Sequence, residues 1–192
     1  MYDLSSSVEV SAMLRITISG AAGSGTTTLA ERLCQHFDWD HLNGGMVFRE
    51  QAQNRQMDLV SFAELCDHDQ SVDRSLDSEL KLRMGGPDGP EVVESRLAGW
   101  WSHQLGMAGI RLWLAVSLEE RARRVVLREG GDVSQRKSEI ESREHRDRSR
   151  FLSLYDLDPA NTTPYTHILE SDDMLIEEVL SSVITMIEED GG

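Results

Sequence analysis

The chain has 192 residues, 39% hydrophobic and 28% charged, a composition that suits one globular domain around a single core. No apolar run approaches the roughly 20 residues that span a bilayer, which excludes a transmembrane helix. The formal charge of -15, from 34 acidic against 19 basic residues, repels nucleic-acid backbones and anionic membranes and speaks against either as a partner. Two of the basic residues are lysines, Lys81 and Lys137, so positive charge sits almost wholly on arginine and any phosphate site must be built from guanidinium groups. An acidic, lysine-poor surface also predicts adaptation to a salt-rich, halophilic cytoplasm in which carboxylate repulsion is screened. Cys34 and Cys66 have no CxxC spacing and are expected to be reduced packing residues, consistent with a cytoplasmic location.

Met1 to Ala12 is polar and aperiodic, without the basic start and apolar core of a signal peptide, and reads as a disordered extension, with Met13 an alternative initiator. The remainder, 13–192, reads as one domain. Leu14, Ile16 and Ile18 alternate with Arg15, Thr17 and Ser19 up to Gly20, the pattern of a short strand closed by a glycine-rich turn. Leu29, Leu33 and Phe37 then mark one buried face of a helix, with Cys34 alongside. His41 to Asn43 reads as a second strand, followed after Gly44 and Gly45 by a helix carrying Met46, Val47, Phe48 and Arg49. Asp58 caps a further helix, and Leu76 with Leu80 marks another, ahead of the breaker-rich stretch Gly85 to Pro90. Val92 and Val93 form a strand ending at Glu94, Ser95 and Arg96. Ile110, Leu112, Leu114 and Val116 alternate as a clearer strand. Ser117 and Glu120 have the spacing of a capping box, and that helix ends near Gly130 and Gly131. A charge-dense helix follows through about Arg150, then a strand at Ile168 and Leu169. A final helix buries Ile176, Val179, Leu180, Val183 and Ile187.

Strands alternating with helices predict an α/β fold with a parallel sheet covered on both faces, its ligands outside the carboxyl ends of the strands. That draws the eye to Gly20, Asn43 and Glu94. Gly20, Ala21, Ala22, Gly23, Ser24, Gly25, Thr26 and Thr27 have the glycine spacing of GxxxxGK[ST], between a strand and a helix as a phosphate cradle requires. Backbone N–H groups and the helix N-terminus would hold the phosphates, and the Thr27 hydroxyl would hold Mg²⁺. Thr26 stands where that motif has lysine, so another group must supply the cation; a nucleotide binder without catalysis is an alternative.

Transfer between two phosphates needs several guanidinium groups. Arg49 lies one helical turn past the second strand and Arg96 directly past the third. Arg143, Asp147 and Arg150 share a helix face with Arg146 beside them, either as a mobile lid over ATP or as an ordinary charged helix pairing with Glu139, Glu141, Glu144 and Asp147.

These pieces together resemble the archaeal-type cytidylate kinases of the nucleoside monophosphate kinase group. The resemblance runs from about Met13 nearly to the C-terminus and is carried by three stretches: Gly20 to Thr28, Gly45-Met46-Val47-Phe48-Arg49-Glu50 and Glu94-Ser95-Arg96-Leu97-Ala98-Gly99-Trp100. It implies a three-layer P-loop fold with a five-stranded parallel sheet, an acceptor-binding region at about 43–84 and a helical lid at about 130–150. The family also carries threonine at the lysine position. The run Arg143, Arg146, Asp147 and Arg150 looks like its RxxRDxxR stretch, which implies catalytic arginines. Asn43, Arg49, Arg96 and Asp147 would then bind the acceptor, and Gly20 through Thr28 would bind ATP with Mg²⁺ on Thr27. Ser95 stands where a glycine is expected, and Asn43 where a serine or similar small residue would begin the acceptor helix. The implied activity is ATP-dependent phosphorylation of CMP and dCMP by a monomer. A kinase for another nucleotide or a small metabolite is the rival reading, and a P-loop binding protein a further one.

Overall fold

In the computed structural model, residues 14–190 are described; the expectations for Met1 to Ala12 and for Met13 lie outside them. Thirteen elements follow one another among these residues. They are β1 (Ile16–Gly20), α1 (Thr26–Phe37), β2 (His41–Asn43), α2 (Gly44–Asn54), α3 (Leu59–His68), α4 (Gln70–Met84), β3 (Val92–Glu94), α5 (Ala98–Gln104), β4 (Ile110–Ala115), α6 (Leu118–Glu129), α7 (Val133–Tyr155), β5 (His167–Glu170) and α8 (Ile176–Asp190).

All five strands are parallel, in the order β2-β3-β1-β4-β5. β1 is central and every one of its residues is buried, so the alternation in its sequence does not mark a wet face. Its polar residues are instead bonded: Thr17 donates to the Ile110 carbonyl at 3.4 Å and Ser19 to the Ser95 carbonyl at 2.8 Å. Buried hydroxyls are tolerated when they find such partners. The register sets Ile18 and Asn43 on either side of Glu94, so the carboxyl ends of β1, β3 and β2 emerge side by side.

Helices cover both faces, as the alternation predicts. On one, Ile16, Ile18, Ile110, Leu112 and Leu114 pack against Leu29 and Leu33 of α1 and Val179 and Val183 of α8. On the other, Val93 and Leu42 meet Val47, Leu80, Trp101 and Phe151. α5 carries no clear hydrophobic period and is held by tertiary contact, with Trp101 only 1% exposed. Gly99 is required there by space: a Cβ would stand 2.2 Å from the Tyr165 ring. Neither cysteine forms a disulfide among the described residues, and burial pushes the Cys34 thiol up to about 11.

The capping box at α6 is only half formed. Ser117 accepts from the Glu120 N–H at 3.3 Å, but Asp172 takes the Ser117 N–H at 2.6 Å, and the Glu120 carboxylate pairs with Arg124. α7 runs five residues beyond Arg150. It is seated at two points, by Ile140 against Ala22, Ala122 and Val125, and by Phe151 in the core on the α4 side.

Candidate active site

The carboxyl ends of β1, β2 and β3 open into a cleft of about 580 Å³. One wall is the phosphate loop and the start of α1; the others come from α2, α4, the turn after β3 and the inner face of α7.

The phosphate loop has the features its sequence predicts. Gly23 and Gly25 sit at φ 83° and 96°, left-handed conformations that a side chain resists. Gly25 is the N-cap of α1 and no side chain caps that terminus, so the first N–H groups of the helix remain for an anion and the helix dipole adds to their pull. Gly23, Gly25, Thr26, Thr27 and Thr28 line the cleft, whereas Gly20, Ala21, Ala22 and Ser24 form the turn behind it.

That turn is braced from α6. Arg121, a buried arginine, donates to the carbonyls of Ala22 at 2.9 Å and Val116 at 3.1 Å and pairs with Glu144 of α7. Arg124 donates to the Ser24 carbonyl at 2.9 Å and also bonds the Ser171 carbonyl. Binding these carbonyls on the α6 side occupies the acceptors of the turn away from the cleft. Arg128, on the same helix, lines the cleft itself. Residues 121, 124 and 128 are spaced along one helical face, but nothing in their sequence marks them as partners of the loop.

Thr26, at the lysine position, is 7% exposed and donates to Glu94 Oε1 at 2.8 Å; Thr27 donates to Glu94 Oε2 at 3.3 Å. One carboxylate thus bridges the two threonines. Its place at the end of β3, beside the phosphate loop, is the signal that could have revealed it. Among the described residues, no cluster of three or more His, Cys, Asp or Glu side chains could hold a metal. Thr27 and Glu94 form a smaller, all-oxygen set, which fits Mg²⁺, an ion that takes most of its ligands from water and phosphate.

Asn43 is the N-cap of α2, its Oδ1 accepting from the Met46 N–H at 2.7 Å, so asparagine serves as the small helix-starting residue. Ser95, where a glycine is expected, lines the cleft, and its buried hydroxyl has no hydrogen-bond partner among the described residues. Arg96 donates to the Gly20 carbonyl at 3.0 Å and to Asp147 at 3.1 Å, which fixes it between phosphate loop and α7 with further N–H groups to spare. Arg150 stands 3.5 Å from both Asp147 and Asp73.

Arg49 and Arg143 line the cleft without an ion pair among the described residues. Arg143 is open to solvent at its surface yet set in the cleft; this partial enclosure, followed by repulsion from Arg96, lowers its pKa. Such a group gains by meeting an anion. Arg146 is exposed and lies outside the cleft lining. The charges of α7 are therefore divided: Arg136 pairs with Glu139 and Arg150 with Asp147 along the helix, while Arg148 reaches Asp158, Glu144 reaches Arg121 and Asp147 also reaches Arg96 beyond it.

A five-stranded parallel sheet with a glycine-rich loop leading into α1 and arginines opposite it defines a P-loop kinase. Residues 16–147 match the family described as an AAA domain. The chain is 35% identical to the cytidylate kinase of Methanopyrus kandleri over 173 residues, 86% of this chain and 89% of that one. It is 37% identical to the cytidylate kinase of Halobacterium salinarum over 150 residues, covering 78% and 77%. The protein belongs to the archaeal cytidylate kinase family and is a phosphotransferase. In fold it resembles a shikimate kinase from Bacteroides thetaiotaomicron, at a TM-score of 0.56 and 14% identity over 91% of this chain and 98% of that one. A gluconokinase from Sinorhizobium meliloti gives 0.58 and 14%, covering 92% of each. None of the described helices is long and apolar enough to cross a membrane.

Proposed function

We propose that the protein transfers the terminal phosphoryl group of ATP directly to the phosphate of CMP, and of dCMP, giving ADP and the pyrimidine diphosphate. The observation that carries this reading is the cleft itself, which joins an uncapped phosphate loop to a second set of arginines on α2, the β3 turn and α7. Relatives named cytidylate kinase over most of the chain support CMP as the acceptor.

The loop N–H groups and the α1 N-terminus bind the donor phosphates. Thr27 and Glu94 would hold the magnesium ion of Mg·ATP, which would supply positive charge against the transferring phosphate. Arg128 and Arg143 face the same space and take over the positive charge that a loop lysine would supply, with Arg146 joining them if α7 closes further. Arg49, Arg96 and the Asn43 amide hold the acceptor phosphate, with Asp147 fixing Arg96. The attacking oxygen belongs to a phosphate already ionised at neutral pH, so positioning and charge stabilisation suffice and no general base is needed. One chain completes the cleft, so a monomer can act. The acidic surface suits small nucleotides in a salt-rich cytoplasm rather than a polynucleotide.

A coupled ADP-release assay with Mg·ATP in molar KCl, offering CMP, dCMP, UMP, AMP and GMP separately, tests the reading. CMP or dCMP should be preferred by more than about tenfold in kcat/KM. Preference for another acceptor would overturn the substrate assignment, and silence with all five despite ATP binding would overturn the kinase reading.

A further inference from the structure

The position that holds lysine in GxxxxGK[ST] is filled here by a side chain already committed elsewhere. Thr26 is 7% exposed, and its hydroxyl donates to Glu94 Oε1 at 2.8 Å. A hydroxyl has a single proton to give. Thr26 therefore cannot hold Glu94 and also donate to a phosphate, so it does not stand in for the missing ammonium. Its methyl group fixes the direction of the hydroxyl. Cγ2 packs against the turn, where a Cβ on Gly20 would stand 3.0 Å from it, and a β-branched side chain seated in this way has few other rotamers.

Glu94 is held unevenly by its two donors. The bond from buried Thr26 to Oε1 is the shorter, whereas exposed Thr27 reaches Oε2 at 3.3 Å, long for a hydroxyl on a carboxylate. Donors on separate oxygens set the plane of the carboxylate. The firmer bond anchors it, and the looser one leaves Oε2 and the Thr27 hydroxyl open to another ligand. Glu94 enters no ion pair among the described residues: Arg96 is turned to the Gly20 carbonyl and Asp147, and Arg150 to Asp73 and Asp147. A carboxylate fixed in direction and without a counter-charge is prepared for a cation. A lysine at position 26 would undo this, because its ammonium would lie beside Glu94 and the two charges would be spent on each other.

We propose that Thr26 is a positioning residue: it gives up the phosphate contact of a loop lysine and instead orients Glu94, so that Oε2 and the Thr27 hydroxyl take a divalent cation. The inference rests on the Mg·ATP reading of the cleft. It goes beyond that reading in giving residue 26 a task of its own, and in predicting that restoring the motif's lysine harms the protein.

The test uses Mn²⁺ alone as the probe, with the free ion counted by its paramagnetic resonance signal. The nucleotide-free full chain is titrated in molar KCl, which screens diffuse attraction to the acidic surface. The unsubstituted protein should bind one Mn²⁺ that Glu94→Gln loses. Thr26→Val, which keeps the shape and the methyl, and Thr26→Lys should each bind it at least about tenfold more weakly, because hydrogen bonds that orient a ligating carboxylate carry that much metal affinity. Thr26→Ser, which restores the hydroxyl, should recover most of the affinity. In the ADP-release assay with CMP, Thr26→Lys should lower kcat. Equal Mn²⁺ affinity in Thr26→Val and the unsubstituted protein, or no recovery in Thr26→Ser, would reduce Thr26 to a packing residue and overturn the proposal. The absence of a Mn²⁺ site sensitive to Glu94→Gln, or a higher kcat in Thr26→Lys, would overturn it as well. Failure of the kinase reading looks different: the unsubstituted protein would release no ADP with any acceptor, whatever its affinity for Mn²⁺.

Discussion

Replacing Arg121 with alanine should damage stability and donor binding together, because this one side chain joins α6, the phosphate loop and α7. The substitution removes the bonds to the Ala22 and Val116 carbonyls and the pair with Glu144. Breaking a buried ion pair costs about 3–5 kcal/mol, mostly for the charge left behind. The Glu144 side chain is 35% exposed and can rehydrate, whereas that of Arg121 is 8% exposed, so the lower end of about 3 kcal/mol applies. For a domain of this size each kcal/mol moves Tm by about 2–4 °C, giving a drop of roughly 6–12 °C. With its carbonyls released the loop should also hold ATP less well, by about tenfold in KM, or about 1.4 kcal/mol. Scanning calorimetry and ATP saturation curves at a temperature well below the lowered Tm read the two effects. A Tm within about 2 °C of the parent, or a stability loss with an unchanged KM for ATP, would refute the bracing argument.

Other perturbations separate the parts of the site. Glu94→Gln weakens the acceptor shared by Thr26 and Thr27, so kcat should fall by about 10² and half-maximal activity should need more Mg²⁺; a magnesium titration checks this. Arg143→Ala and Arg146→Ala should each reduce kcat by about 10² as charge stabilisation is lost, read by steady-state kinetics. An unchanged kcat for Arg146→Ala alone would show that α7 stays where the structure has it. The unfolding midpoint should rise between low and molar KCl, since screening relieves repulsion within a chain of charge -15.

The sequence showed the fold clearly where the pattern is local. The phosphate loop, the β1 and β4 strands and the α8 stripe each rest on periodicity or on glycines whose positions the backbone requires. α5 escaped notice because its seven residues include a glycine and two tryptophans and are held by Trp101 in the core rather than by helical propensity. The bracing role of Arg121 and Arg124 was hidden for another reason: both bond to backbone carbonyls about 100 residues away, and carbonyls have no sequence signature. Glu94 was visible as a strand end, but only the β1–β3 register brings it against Thr26. On α7 the charges are divided: Arg136 pairs with Glu139 on the same helix, whereas Asp147 meets both Arg150 beside it and Arg96 beyond the helix.

The measurement that tests the central claim most directly follows the label of γ-³²P-ATP incubated with the protein, Mg²⁺ and CMP. Direct transfer in the cleft predicts label in CDP, appearing in step with ADP and absent when CMP is omitted. Label released as inorganic phosphate at the same rate with or without CMP would contradict it and make the protein an ATPase on a kinase fold.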